Sequence, residues 1–152
     1  MTFNYLKDIY MTQTNPINFH QEAQAISPLL ISIEEELAKS ENRNLFHLVA
    51  LRASQINQCA FCVKMHIREA LEDGETQERI DRLIVWRHVS DFTEKEKVAF
   101  TWVEALTSLK NDGDNASLRS DLRQFFSEKE LALLTAKVAM INLWNRIQVA
   151  NH

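Results

Sequence analysis

The stretch Asn44-Leu45-Phe46-His47-Leu48-Val49-Ala50-Leu51-Arg52-Ala53-Ser54-Gln55-Ile56-Asn57-Gln58-Cys59-Ala60-Phe61-Cys62-Val63-Lys64-Met65-His66 decides how this chain is read. Asn44 can start a helix, and Leu45, Leu48, Val49 and Arg52 run along it at helical spacing. Gln55 to Gln58 lead into two cysteines. Asn57 is placed to cap a further helix from Gln58 to about Asp73, which Gly74 ends by turning left-handed without a Cβ clash. On that helix Cys59, Cys62 and His66 fall three and four residues apart, so they share one face.

Working outward, the same helical punctuation recurs. A helix is predicted from near Phe19, broken at Ser27-Pro28, where Ser27 can cap a new one with Pro28 in its first turn. Leu29, Leu30, Ile33 and Leu37 form its apolar stripe, with Glu34, Glu35 and Glu36 on the wet side. Thr76 opens another helix with Ile80, Leu83 and Ile84 inward. Thr93-Glu94-Lys95-Glu96 and Ser127-Glu128-Lys129-Glu130 are capping boxes, in which each carboxylate reaches back to the cap's own amide. The second launches a helix that is apolar nearly all round from Leu131 to Trp144, as a core or subunit-interface helix is. Residues 1–18 read as an irregular arm with Phe3, Tyr5, Tyr10 and Pro16. Asn111 to Asn115, with Gly113, reads as a loop.

Composition agrees with helices alone. The 152 residues contain two Gly and two Pro, too few for the turns a sheet needs. The expectation is an all-α, single-domain helical bundle over 1–152, with residues 44–110 as its core. A net charge of −4 without a cluster of Lys and Arg argues against nucleic acid. No apolar run reaches the ~20 residues of a membrane span. No secretory signal is visible, so a cytoplasmic location without membrane partners is expected. In a reducing compartment a C-x-x-C spacing favours catalysis or metal binding over a structural staple.

The chemistry of the motif follows from its spacing. Three residues of helix rise about 4.5 Å, and a disulfide needs Cα atoms roughly 4.4–6.8 Å apart, so the pair can close in place. Free amides in a first turn stabilise a thiolate. His66, one turn below Cys62, can take its proton as an adjacent base does. A thiolate attacks a peroxide to give a sulfenic acid, which a second thiol condenses to a disulfide. Cys62 is expected to attack and Cys59 to resolve, with Cys59 also the sulfur more open to an external reductant. No cofactor is implied. Other readings stay open: two buried small hydrophobes, a Cys₂His₂ zinc set of His47, Cys59, Cys62 and His66, or a redox-sensing module oxidised once per site. Against zinc, Cys59 and His66 are about 10.5 Å apart along a continuous helix. His20, His88 and His152 are read as satisfied core residues.

Residues 45–109 resemble the carboxymuconolactone decarboxylase family, in its alkyl hydroperoxidase D-like branch. The resemblance rests on Leu48 to Asn57, Cys59-Ala60-Phe61-Cys62 and His66. It continues through Gly74-Glu75-Thr76, Trp86, Phe92 to Glu96, Glu104 to Thr107 and the tail Ile141 to Arg146. It implies an all-helical fold, assembly into trimers or hexamers, and reduction of hydroperoxides by the cysteine pair. It also implies a dithiol or lipoyl-type protein reductant. In that family a glutamate twelve residues before the first cysteine is the base of a relay through the histidine; here that position is His47. A histidine immediately before the second cysteine is replaced by Phe61. Cys59, Cys62 and His66 carry over, with His47 as the substitute base. Histidine serves as a base near pH 7 but cannot hold negative charge against a protonated His66. A relay altered in pH dependence, with slow turnover, is therefore expected.

Overall fold

The computed structural model describes residues 15–109 and 115–151. Most of the expected N-terminal arm, nearly all of the expected 111–115 loop and His152 lie outside those residues. All regular structure among the described residues is helical, as the composition required. The helices are α1 (Phe19–Glu22), α2 (Ser27–Leu37), α3 (Arg43–Ile56), α4 (Ala60–Glu72), α5 (Gln77–Arg82), α6 (Glu94–Ser108), α7 (Ala116–Leu122) and α8 (Glu128–Ala150). A 3₁₀ segment, Leu83–His88, follows α5.

Helix α3 is the centre of the molecule. Leu45, Phe46, Leu48, Val49, Ala50, Leu51, Ala53 and Ser54 are all buried, because α4, α6 and α8 pack around it. Phe100 and Trp102 of α6 and Leu134, Val138 and Ile141 of α8 complete the core. One side of α8 thus serves the chain's own interior, while Leu131, Leu133, Leu143 and Trp144 are only half-buried. Both capping boxes form: Thr93 Oγ1 accepts from the Glu96 amide, and Ser127 Oγ from the Glu130 amide, with both carboxylates returning to the cap. At the second box an additional bond from the Asn42 side chain, with those from Ser127, lowers the Glu130 carboxyl to about 2.

Several local expectations are corrected. Ser27 is not a cap; it is the first residue of α2, and its hydroxyl bonds His20 Nδ1 at 2.7 Å. The α2 stripe is only partly buried: Leu37 is inside, while Leu29 and Ile33 are exposed, because α2 has no neighbour on that side within the described residues. Ile84 also faces outward, since the chain tightens to 3₁₀ at Leu83 and changes face. His20 and His88 are exposed, not core.

The boundary between α3 and α4 also departs from expectation. Asn57 does not cap a helix at Gln58. It ends α3, and Gln58 adopts a left-handed φ of 55°. The Cys59 amide donates to Ser54 O and the Gln58 amide to Gln55 O, which is the Schellman arrangement. The same pattern ends α4, where Gly74 at φ 92° occupies the left-handed position and the Glu75 amide donates to Ala70 O. Asn57 is instead recruited sideways. Its side-chain amide donates to Asn142 Oδ1 at 3.0 Å and Asn145 Oδ1 at 2.8 Å, and Asn145 Nδ2 donates to Ser54 Oγ at 3.0 Å. Asn145 is fully buried, so these bonds are its whole compensation for lost water.

Asn145→Ala removes the donor to the buried Ser54 hydroxyl, which keeps its bond to Ala50 O, and one of the two acceptors of the Asn57 amide, and it opens a void in the core. It is expected to cost about 2 kcal/mol, read as a lower urea midpoint at unchanged slope. Gln58→Gly relieves a left-handed backbone that disfavours a Cβ and is expected to raise stability by up to about 1 kcal/mol. An unchanged or lower midpoint in the glycine variant would contradict that account.

Candidate active site

The left-handed residue at 58 brings Cys59 to the mouth of α4. Cys59 is the N-cap, in extended backbone, and its sulfur accepts from the Cys62 amide at 3.3 Å. Cys62 lies in the first turn. The two are joined as a disulfide with Cα atoms 5.3 Å apart. The pairing expected from helical rise is therefore present, but with Cys59 at the cap and not within a continuous helix. Both residues are 1% exposed, so Cys59 is not the more open sulfur. Cys62, and not Cys59, lines a cavity of about 360 Å³ with Phe61, Met65, Ile141 and Trp144 as its apolar walls.

His66 lines the same cavity one turn below Cys62. It is buried, and its Nδ1 lies 2.9 Å from Glu69 Oε2. The hydrogen bond from His66 holds the Glu69 carboxyl below its ordinary range, against the opposing effect of burial, and the charges of His66, His47 and Lys137 add to it. An ionised carboxylate only accepts, so Nδ1 must donate. In the neutral ring that leaves the lone pair on Nε2. That nitrogen is buried and has no hydrogen-bond partner among the described residues.

His47 stands apart from the sulfurs. Its Nε2 is bonded to Asp73 Oδ2 at 2.6 Å, and Arg43 also grips Asp73. These bonds, with His47 first, hold the Asp73 carboxyl below its ordinary range. His47 lines a separate cleft of about 250 Å³ that shares Glu34, Glu69 and Lys137 with the cysteine cavity. The four candidate zinc ligands thus do not converge. Among the described residues no group of three or more His, Cys, Asp or Glu side chains is arranged to hold a metal.

Two residues of the site were not picked out from sequence. Glu69 carried a usable signal, since it sits three residues after His66 on the same helix face. His20 carried none. It reaches the cavity from α1, where its ring stacks on Trp144 at 6.0 Å between centroids. No helix among the described residues is long and apolar enough to cross a membrane.

The chain is similar to known proteins in sequence and in fold. Residues 34–105 match the model of the carboxymuconolactone decarboxylase family. An uncharacterized protein of Bacillus subtilis, YdfG, is 30% identical over 135 residues, spanning 88% of this chain and 92% of that one. Uncharacterized YnjA of Escherichia coli is 29% identical over 103 residues, spanning 68% of this chain and 56% of that one. Among solved structures, a protein of unknown function from Agrobacterium tumefaciens, provisionally described as an antioxidant defence protein AhpD, is 33% identical. It superposes with a TM-score of 0.84, covering 91% of this chain and 95% of that one. An uncharacterized peroxidase-related protein from Silicibacter shares the fold with a TM-score of 0.73 at 16% identity, covering 82% of this chain and 66% of that one.

Because only Cys62 faces the cavity, a sub-stoichiometric alkylating agent added to the reduced protein is expected to label Cys62 ahead of Cys59. Peptide mass spectrometry reads the ratio, and preferential labelling of Cys59 would contradict the assignment.

Proposed function

The chain belongs to the carboxymuconolactone decarboxylase family, and from that premise we propose that it is a thiol-dependent peroxidase or disulfide oxidoreductase acting on organic hydroperoxides. One observation carries the reading: Cys62 and the unpartnered Nε2-bearing His66 share an apolar cavity at the start of a helix. The likeness to the Agrobacterium protein supports it at the level of family.

In the proposed cycle the reduced Cys62 thiol gives its proton to His66 Nε2. The first-turn amides of α4 stabilise the resulting thiolate. The thiolate attacks the terminal oxygen of the hydroperoxide and the O–O bond breaks. The alkoxide leaves as an alcohol with the proton from His66, and Cys62 becomes a sulfenic acid. The Cys59 thiol then attacks that sulfur and expels hydroxide, which takes the proton that Cys59 gives up and departs as water. The product is the Cys59–Cys62 disulfide. A dithiol, of small-molecule or lipoyl-protein type, reopens it by exchange and supplies the two electrons that the peroxide consumed.

His47 has its Nε2 on Asp73, so in this proposal it acts on the relay only through its charge beside Glu69. The chain is also proposed to work as a homo-oligomer, a trimer or hexamer. Ile26, Leu29 and Ile33 form an exposed apolar face on and just before α2, of the kind that assembly covers. The proposed location is the cytoplasm.

Cys62→Ser is expected to abolish peroxide-dependent oxidation of a dithiol donor while the helical signal is retained. Cys59→Ser is expected to consume one peroxide per site and stop at a sulfenic acid that a 1,3-dione probe captures. Sustained turnover by the Cys62 variant would overturn the mechanism. A single oxidation without sustained rate in the wild type, with dithiol in excess, would favour a sensor instead. His47→Ala and His47→Glu are expected to move the pH–rate profile. An unmoved profile in both would remove His47 from the relay.

A further inference from the structure

We infer that Glu69 is the positioning carboxylate of the His66 relay, supplied from within the cysteine helix and not from α3. The inference rests on the proposed function for its purpose but on independent geometry for its substance. Position 47, where the resembling family places a glutamate, holds a histidine here. That histidine is turned to Asp73 in the neighbouring cleft. The carboxylate that does reach His66 is Glu69, 2.9 Å from Nδ1.

An ordinary i,i+3 surface pair fixes little, because both partners are wet and mobile. This pair differs at its imidazole end, where the side chain is 6% exposed against 36% for the glutamate. A buried imidazole with one nitrogen anchored has one orientation and one neutral tautomer. Anchoring Nδ1 commits Nε2 to the base role. It also places a negative charge behind the ring, which stabilises imidazolium once the thiol proton arrives.

The hydrogen bond from His66, with the charges of His66, His47 and Lys137, keeps Glu69 ionised against the cost of its burial. The other charged or titratable groups lining the two cavities with the pair are Glu34 from α2, Arg43 and His47 from α3, Glu72 and Asp73 at the end of α4, Lys137 from α8 and, across the cysteine cavity, His20 from α1. Lys137 binds Glu34 at 2.7 Å and favours the ionised Glu69 through its charge. Glu69 lines both cavities. It is thus the wall through which a protonated His47 bears on the histidine that serves Cys62.

The test uses full-length wild type, Glu69→Gln, Glu69→Ala and, as a control, Glu35→Gln on the exposed face of α2. Ring ¹⁵N shifts of His66 report which nitrogen carries the proton. Thiolate absorbance of the reduced protein against pH reports the environment of Cys62. Wild type and the Glu35 variant are expected to show an Nδ1-protonated neutral ring. Glu69→Ala is expected to lose that fixed tautomer. Glu69→Gln, which keeps an acceptor but no charge, is expected to retain the tautomer. In both Glu69 variants thiolate formation should move upward by about one pH unit or more. Wild-type tautomer in Glu69→Ala together with an unmoved thiol profile in Glu69→Gln would overturn the inference. These readouts need no peroxide. A wild type that forms the thiolate yet ignores hydroperoxides would sink the proposed function and leave the role of Glu69 standing.

Discussion

The arrangement of this molecule depends on one buried polar contact, the grip of Asn145 on Ser54 and Asn57. Hydrophobic packing alone would let the end of α3 slide or rotate against α8, because apolar contact has no direction. An amide in a water-free core does have direction, since each of its groups must find a partner. Asn145 accepts from Asn57 and donates to Ser54, and so fixes the last turn of α3. The two residues after Asn57 are the left-handed Gln58 and the capping Cys59. The position of the two sulfurs is therefore set from α8, more than eighty residues along the chain.

Much of this was legible in sequence where a local rule had a dedicated residue. Both capping boxes, the stop at Gly74 and Pro28 in a first turn follow from side chains whose chemistry serves little else. The apolar all-round helix at the C-terminus was readable as buried, although whether in this chain or between chains was not. The break before Cys59 was obscured because its left-handed position carries glutamine where glycine is usual. It is held by backbone bonds to Ser54 and Gln55, with Ser54 and Asn57 tied to α8 by bonds that no local pattern records. The same limit hid the use of Asn57, a plausible cap by type that is engaged sideways. Leu29 and Ile33 show the converse: helical spacing predicted a buried face, and the described fold leaves that face uncovered.

The site shows the same division. Cys59, Cys62 and His66 share a face by spacing alone, and the structure sets Cys62 and His66 on one cavity wall with Cys59 behind them at the helix cap. His47 could be located in the sequence only by its offset from the cysteines, which says nothing of Asp73 drawing its ring away. Glu69 was within reach of an i,i+3 argument. Its significance, however, comes from the burial of His66 and from the cations around it, which are three-dimensional facts. The cavity itself is assembled from α1, α2, α4 and α8, and no single segment announces it.

The Cys59–Cys62 link spans three positions at the rim of one helix. A cross-link that encloses so small a ring withdraws little freedom from the unfolded chain, so making or breaking it changes folding free energy only slightly. In the proposed cycle the helices around the pair gain or lose little from its closing or opening. Such a centre can cycle many times without the scaffold registering its state, which suits repeated chemistry better than the relay of a message to distant surfaces.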